Sequence, residues 1–426
     1  MIKILDYEQV KIEDIFIRND KAADITAAVE KIISDVRENG DRALREYALK
    51  FDGAVLDNLE VTEEEIEDAF AAVDPALIEV IKKAAENIRE YHSKQKREGF
   101  RFERKNGVIL GQKITPIENA GIYIPGGTAS YPSSVLMNTI PAKIAGCRQI
   151  VMVSPPSRGG TIAPVILAAA KIAGVDRIFK TGGAQAVAAL AYGTESVPKV
   201  DKITGPGNAF VAEAKKQVFG KVSIDMIAGP SEILVIADEK SNPAFVAADM
   251  LSQAEHDKMA TAVLVTDSRE LAGKVAEELE KQLSLLPREE IARASIENNG
   301  AVIITDNLHR AVEISNELAP EHLEICTDNP FDYLDEITNA GSVFLGRFCC
   351  ESLGDYLAGP NHTLPTSGTA RFSSPLSVDE FIKKTQFSYF EKEALREVRD
   401  DIDIFARSEG LDAHARAATI RFEGEE

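Results

Sequence analysis

Six histidines occur in the 426 residues, and four of them, His256, His322, His362 and His414, stand in dense polar motifs of the second half. Imidazole titrates near neutrality and offers a lone pair to a proton or a metal, so this concentration points to acid–base chemistry, a metal, or both. In Ala319-Pro320-Glu321-His322-Leu323-Glu324 a carboxylate stands directly beside an imidazole. Neighbours on an extended segment point apart, but at a turn both reach one cavity. The imidazole then suits taking a proton from an alcohol, and the carboxylate suits activating water. An ordinary helix-end charge pair explains the same residues equally well.

Three further segments carry metal-ligating types. Gln253 and His256, in Gln253-Ala254-Glu255-His256-Asp257, are three apart at an expected helix end and share a face. Taken alone, that segment reads more simply as a surface helix end whose imidazole complements the dipole. Gly354-Asp355-Tyr356 and Gly359-Pro360-Asn361-His362 read as a functional loop, with local Asp turn bonding as the plain alternative. Glu409-Gly410-Leu411 and His414 either complete a site elsewhere or belong to a solvated tail. Two imidazoles, a carboxylate and an amide carbonyl would make a mixed nitrogen–oxygen set for zinc, manganese or cobalt. His92 and His309 stand in charged helical contexts and read as surface residues.

These side chains need a scaffold. Apolar spacing predicts a helix over 24–38, Thr62 with Glu65 predicts a capped start, and helix is expected to continue over 70–96. From Gln149 onward strand, glycine-rich turn and helix alternate. Strands are expected at 150–153, 177–180, 202–204, 233–236, 262–266, 301–305 and 342–345, and helices between them. This pattern is that of an α/β fold with parallel sheets. After about Pro365 no strand is expected, only helices and turns. Pro125-Gly126-Gly127, Gly182-Gly183 and Gly205-Pro206-Gly207-Asn208 are turns of the kind that admit a phosphate at the carboxyl ends of strands, against the alternative of mere tight turns. Gly207 is followed by Asn208-Ala209-Phe210, so the third glycine of the dinucleotide fingerprint is missing. No phosphate loop of the ATPase type occurs.

The chain has 48 Lys and Arg against 69 Asp and Glu, a net charge of −21. That argues against nucleic acid or an acidic membrane as partner, both of which need clustered cations. The apolar run Val165–Val175 is broken by Lys171 and is too short to span a membrane. The start, Met1 to Val10, lacks the apolar core of a secretory signal. Four cysteines, Cys147, Cys326, Cys349 and Cys350, form no CxxC pair. Reduced thiols and a cytoplasmic protein are therefore expected.

Taken together and in order, several stretches resemble the histidinol dehydrogenase family. They are Gly121 to Gly127, Gly182 to Ala186, Gly205 to Val211, Asp225 to Glu232, Gln253 to Asp257, Ala319 to Leu323, Gly354 to Tyr356 with Gly359 to His362, and Glu409 to Leu411 with His414. The resemblance implies a zinc- and NAD-dependent oxidoreductase. It would take L-histidinol through L-histidinal to L-histidine, the last step of histidine biosynthesis, with two NAD molecules each accepting a hydride. Gln253, His256, Asp355 and His414 would hold one zinc ion per subunit, and Glu321 and His322 would be the acid–base pair. Ser231, His362 and Glu409 would line the substrate pocket, which His322 and the zinc ligands also reach. Tyr123, Gln185 and Asn208 would contact NAD. The family's organisation implies two incomplete Rossmann-like domains with N-terminal helices and a helical C-terminal tail. The corresponding segments are an arm at 1–20, a discontinuous domain of 21–120 with 231–370, an inserted domain at 121–230, and a tail at 371–426 that completes the site of a partner in a homodimer. A metal-dependent hydrolase and a non-catalytic α/β binding protein are the competing readings.

Overall fold

The computed structural model describes residues 1–9, 11, 15, 25–126 and 130–424. Gly127 of the first glycine turn, Asp24 and most of the 10–20 segment of the expected arm lie outside the described residues. The chain divides into two units, Met1–Gln95 with Ile117–Phe381, and Lys96–Pro116 with Ile382–Glu426.

The first unit holds two all-parallel sheets. One has six strands in the order Lys3–Asp6, Ala301–Ile304, Thr261–Thr266, Glu232–Ala237, His322–Cys326 and Ser342–Leu345. The other has five, Arg177–Lys180, Gln149–Ser154, Asn119–Tyr123, Lys202–Thr204 and Ser223–Ile224. The central strands are continuous apolar runs, as sheets covered on both faces require, and every residue of Glu232–Ala237 is buried. Helices Pro243–Ala254, Arg269–Leu283 and Glu289–Asn299 pack with one face of the six-stranded sheet, and Leu308–Leu318 with the other. Among the described residues no helix is long and apolar enough to cross a membrane.

The N-terminal helices depart from the expected grouping with 231–370. Val29, Ile32, Ile33 and Val36 of the helix Thr26–Tyr47 join Val151, Val153, Phe179 and Ile203 in one core. Ile81, Ala85 and Ile88 of Pro75–Ser93 join Ile122, Ile150 and Met152 in another. The helices of 26–93 thus join the sheet's own crossover helices in covering the five-stranded sheet. The Thr62–Glu65 capping box forms as expected. The helix expected over 70–96 is broken after Ala72, where Asp74 caps a new helix that Pro75 opens.

The second unit contains a strand where none was expected. Ile382–Tyr389 pairs antiparallel with Val108–Pro116, which forms a hairpin with Phe100–Arg104. Only Ile382 of the new strand is half-buried. Its register is held by backbone pairing, so the sequence shows no apolar alternation. The hairpin turn uses Asn106 at φ 79° and Gly107 at φ 72°, the left-handed conformations that an Asn-Gly pair supplies. Helices Lys392–Ser408 and Asp412–Thr419 complete this unit.

Candidate active site

At the amino end of the six-stranded sheet, Ala319 takes a left-handed φ of 49° to close the helix Leu308–Leu318. The chain then turns through Pro320 into a strand that His322 opens. Glu321 and His322 meet on the backbone of one residue, Glu232. The Glu232 N–H donates to Glu321 Oε2 at 3.0 Å. The Glu232 carbonyl lies 2.9 Å from His322 Nδ1. A carbonyl only accepts, so Nδ1 carries the hydrogen and Nε2 keeps its lone pair. Both side chains are nearly sealed, at 7% and 5% exposure. Burial, reinforced by the charges of Asp355 and Glu351 against the opposing Glu232 N–H, holds the Glu321 carboxyl well above the ordinary range. Burial lowers His322 to about 4, against the pull of Asp355, leaving it neutral and ready to take a proton.

The cavity lined by this pair has a volume of about 350 Å³ and is also lined by Ser231, Gln253, His256, Asp355 and His362. Gln253 is on the last turn of Pro243–Ala254, and His256 follows just past the helix end, its N–H bonded to the Gln253 carbonyl. Asp355 sits on the short helix Glu351–Tyr356 rather than in a loop. His362 Nδ1 is 3.8 Å from Asp355 Oδ1. Among the described residues, the Nε2 of His362 has no hydrogen-bond partner, and the buried Gln253 amide has only the Glu351 carboxyl to turn to. Sealed polar atoms of this kind are costly unless a ligand satisfies them. Together they suit a cation held by oxygen and nitrogen. Glu409 and His414 belong to the second unit, Glu409 at the end of Lys392–Ser408 and His414 on Asp412–Thr419, and both are exposed.

Several residues of this region went unnoticed in the sequence. Glu351 lines the cavity at 2% exposure, with Oε1 3.7 Å from His322 Nε2 and unpartnered among the described residues. Burial and the nearby Asp355 carboxylate push it up to about 8. Ligand atoms of His322, Glu351 and Asp355 lie within 4.8 Å of one another. Behind them Glu324, also buried, accepts the Glu351 N–H at 2.8 Å and fixes the start of that helix. Burial raises the neighbouring Asp249 to about 6. His92 is fully buried, not on the surface: Nδ1 bonds Gln95 Oε1 at 2.9 Å and Nε2 lies 3.3 Å from Asn361 Nδ2, beside His362. Its helix turns an apolar face to the sheet, and His92 lies on that face with Ile81, Ala85 and Ile88. His309 is exposed and pairs with Glu336, as its context suggested.

A second cavity, of about 790 Å³, opens at the carboxyl end of the five-stranded sheet and is lined by Tyr123, Gln185 and Asn208. It shares Pro125, Gly126 and Asn208 with the first, so the two adjoin. The Gly183 N–H donates to the buried Tyr123 hydroxyl at 3.0 Å. Asn208 caps Ala209–Val218, accepting from the N–H groups of Phe210 and Val211. Gly205 has φ 117°, and a Cβ there would fall 2.1 Å from the Tyr123 carbonyl oxygen. Its N–H is held by Asp225 and its carbonyl by Lys215, a buried ion pair that locks the turn.

The family model described as histidinol dehydrogenase matches residues 17–422. The chain is 56% identical over 400 residues to the histidinol dehydrogenase of Clostridium acetobutylicum, covering 94% of this chain and 93% of the relative. It is 57% identical over 396 residues to that of Geobacillus kaustophilus, covering 93% of each. The crystal structure of histidinol dehydrogenase from Elizabethkingia anophelis superposes with a TM-score of 0.95 at 42% identity, covering 99% of this chain and 98% of that one.

Proposed function

The chain belongs to the histidinol dehydrogenase family, oxidoreductases of histidine biosynthesis, and from that premise we propose that it oxidises L-histidinol to L-histidine through L-histidinal, with two NAD molecules and one zinc ion per subunit. The observation that carries the reading is the neutral, tautomer-fixed His322 in a cavity that adjoins a second one of nucleotide size. His322 Nε2 takes the hydroxyl proton as the carbinol carbon gives its hydride to the nicotinamide. Water then adds to the aldehyde with Glu321 as its base, and the hydrate repeats the same loss of proton and hydride. In each round one C–H electron pair leaves to NAD and one O–H proton to the protein.

Gln253, His256 and Asp355 fit the zinc ion, since they line one cavity and offer an amide oxygen, an imidazole nitrogen and a carboxylate oxygen. His414 is the fourth ligand, and with Glu409 it reaches the site of a partner subunit. Exposed Phe100, Phe102, Phe387, Ile404 and Phe405 in the same unit are the apolar surface that a homodimer covers. When bound, zinc supplies Lewis acidity and orients the imidazole and amine of the substrate. Ser231 and His362 line the pocket around that substrate, and Tyr123, Gln185 and Asn208 hold NAD. All four cysteines are free thiols, which supports a cytoplasmic setting.

The test is a product assay. Purified protein with histidinol and NAD should form NADH in a ratio of two to each histidine, and a chelator should remove both zinc and turnover. Hydrolysis products without NADH would favour the metal hydrolase, and zinc without turnover the binding protein.

A further inference from the structure

In a complete dinucleotide-binding unit, a carboxylate at the end of the second strand receives the adenosine ribose hydroxyls and so favours NAD over NADP. Here the second strand of the five-stranded sheet in chain order, Gln149–Ser154, runs into Pro155-Pro156-Ser157-Arg158. That corner offers an arginine and no acid. A carboxylate nevertheless lines the same cavity, from a different element. Asp52 ends the π-helical turn Ala48–Asp52, which Gly53 closes at φ 67°. Its Oδ2 is shut from solvent and has no hydrogen-bond partner among the described residues. Phe51, stacked on Tyr47 at a centroid distance of 5.4 Å, and Ile32 form the wall beside it, with Ile162 and Ile166 also lining the cavity.

The two cavities fix the direction in which a dinucleotide would lie. The nicotinamide must reach the carbinol carbon, so it belongs at the edge shared through Pro125, Gly126 and Asn208. The wall of Ile32, Phe51 and Asp52 is not shared, and is left for the other end. An apolar wall with one unsatisfied carboxylate suits an adenine above a ribose diol. We propose that Asp52 is the residue that receives the adenosine ribose hydroxyls of the nucleotide and excludes a 2′-phosphate, replacing the strand-end acid that this sheet lacks. The proposal rests on the reading of the second cavity as an NAD site.

Isothermal titration of the intact protein with NAD, NADP and the NAD analogue lacking the adenosine 2′-hydroxyl tests it. The native protein should bind NAD about tenfold or more tightly than either of the others, as expected for hydroxyls bonded to a charged acceptor. Asp52→Asn should weaken NAD by about tenfold and bring NAD and NADP close together. The same substitution should cost the deoxy analogue much less. If Asp52→Asn does not fold, as judged by its unfolding midpoint, the three ligands on the native protein decide alone. Equal binding of NAD and its deoxy analogue to the native protein overturns the proposal while leaving the NAD site standing, as does an Asp52→Asn variant that binds NAD normally. A native preference for NADP also overturns it and assigns the corner to Arg158. A native protein that binds neither dinucleotide removes the NAD reading itself.

Discussion

In the five-stranded sheet the residues around the cavities follow the strands. Tyr123 closes Asn119–Tyr123, Gly183 comes soon after Lys180, and Gly205 after Thr204. In the six-stranded sheet they precede them: Glu232 and His322 open two adjacent strands. The carboxyl end of that second sheet is closed by Arg347. Its guanidinium donates to Asp238 and Asp328 at 2.9 Å each, and to Ser241 Oγ and the Cys326 carbonyl at 2.6 Å. On the proposed function, ligands would meet strand carboxyl ends in one sheet and, through Glu321 and His322, the start of a strand in the other. The difference is one of purpose. Helix N-termini after strands offer free N–H groups, which suit a phosphate. The start of a strand offers a residue such as Glu232, whose N–H clamps a carboxylate and whose carbonyl clamps an imidazole. On the proposed function, one sheet would present backbone for binding and the other would bury side chains for proton transfer.

The largest test of that division is His322→Asn. Loss of a general base typically costs a factor of about 100 to 10,000, and we expect histidinol oxidation to fall by about a thousandfold. Titration with NAD should show no change in affinity if, as proposed, its contacts are Tyr123, Gln185 and Asn208 in the other cavity. A parallel loss of NAD affinity would break the comparison.

Gly205→Ala probes the other side. The new Cβ meets the Tyr123 carbonyl at 2.1 Å in a left-handed backbone held from both ends by Asp225 and Lys215. We expect a stability loss of about 3 kcal/mol by denaturant unfolding and a weaker NAD complex. Zinc content, measured by elemental analysis of the folded fraction, should not fall. If zinc is lost and NAD binding kept, the roles of the two sheets have been exchanged.

What the sequence made legible follows the same line. Strands that are buried on both faces and the turns between them are local patterns, and every strand expected from 149 onward appears, most shifted by a residue at an end. The residues brought into one cavity, Glu321, His322, Gln253, His256, Asp355 and His362, stood out because polar motifs interrupt an apolar texture. Glu351 and Glu324 did not, since an acid in a chain with 69 acidic residues carries no signal until its burial is known. One clue did exist: Glu324 is two residues after His322 on a buried strand, hence on the same face. The strand Ile382–Tyr389 was illegible because its partner lies more than 260 positions away and its own residues are mostly polar. Asn106-Gly107 is the local signal from which the hairpin that receives it could have been read.

His92 lies where the two regions meet. Its helix packs on the five-stranded sheet, while its Nε2 accepts from Asn361, which precedes His362 in the substrate cavity. Gln95 Oε1 fixes the hydrogen on Nδ1 and also takes the Val378 N–H. Burial lowers the folded-state value of His92 from 6.5 to about 4. The unfolded chain therefore binds a proton as pH falls through 6.5, and the folded chain does not until about 4. Stability contributed here is complete at neutral pH and is lost as pH falls across that window. The expected loss is about 1 kcal/mol between about pH 7 and 6, and about 2 kcal/mol by about pH 5. His92→Gln keeps one donor and one acceptor but cannot titrate. Urea unfolding across this range should show that much less acid sensitivity in the variant, the remaining slope belonging to the other buried histidines and, with opposite sign, to buried carboxyls such as Glu351 and Asp249. A slope equal to that of the native protein would return His92 to solvent. The glutamine should also leave NAD affinity alone while raising the KM for histidinol, because the loop it supports carries His362, which lines the smaller cavity.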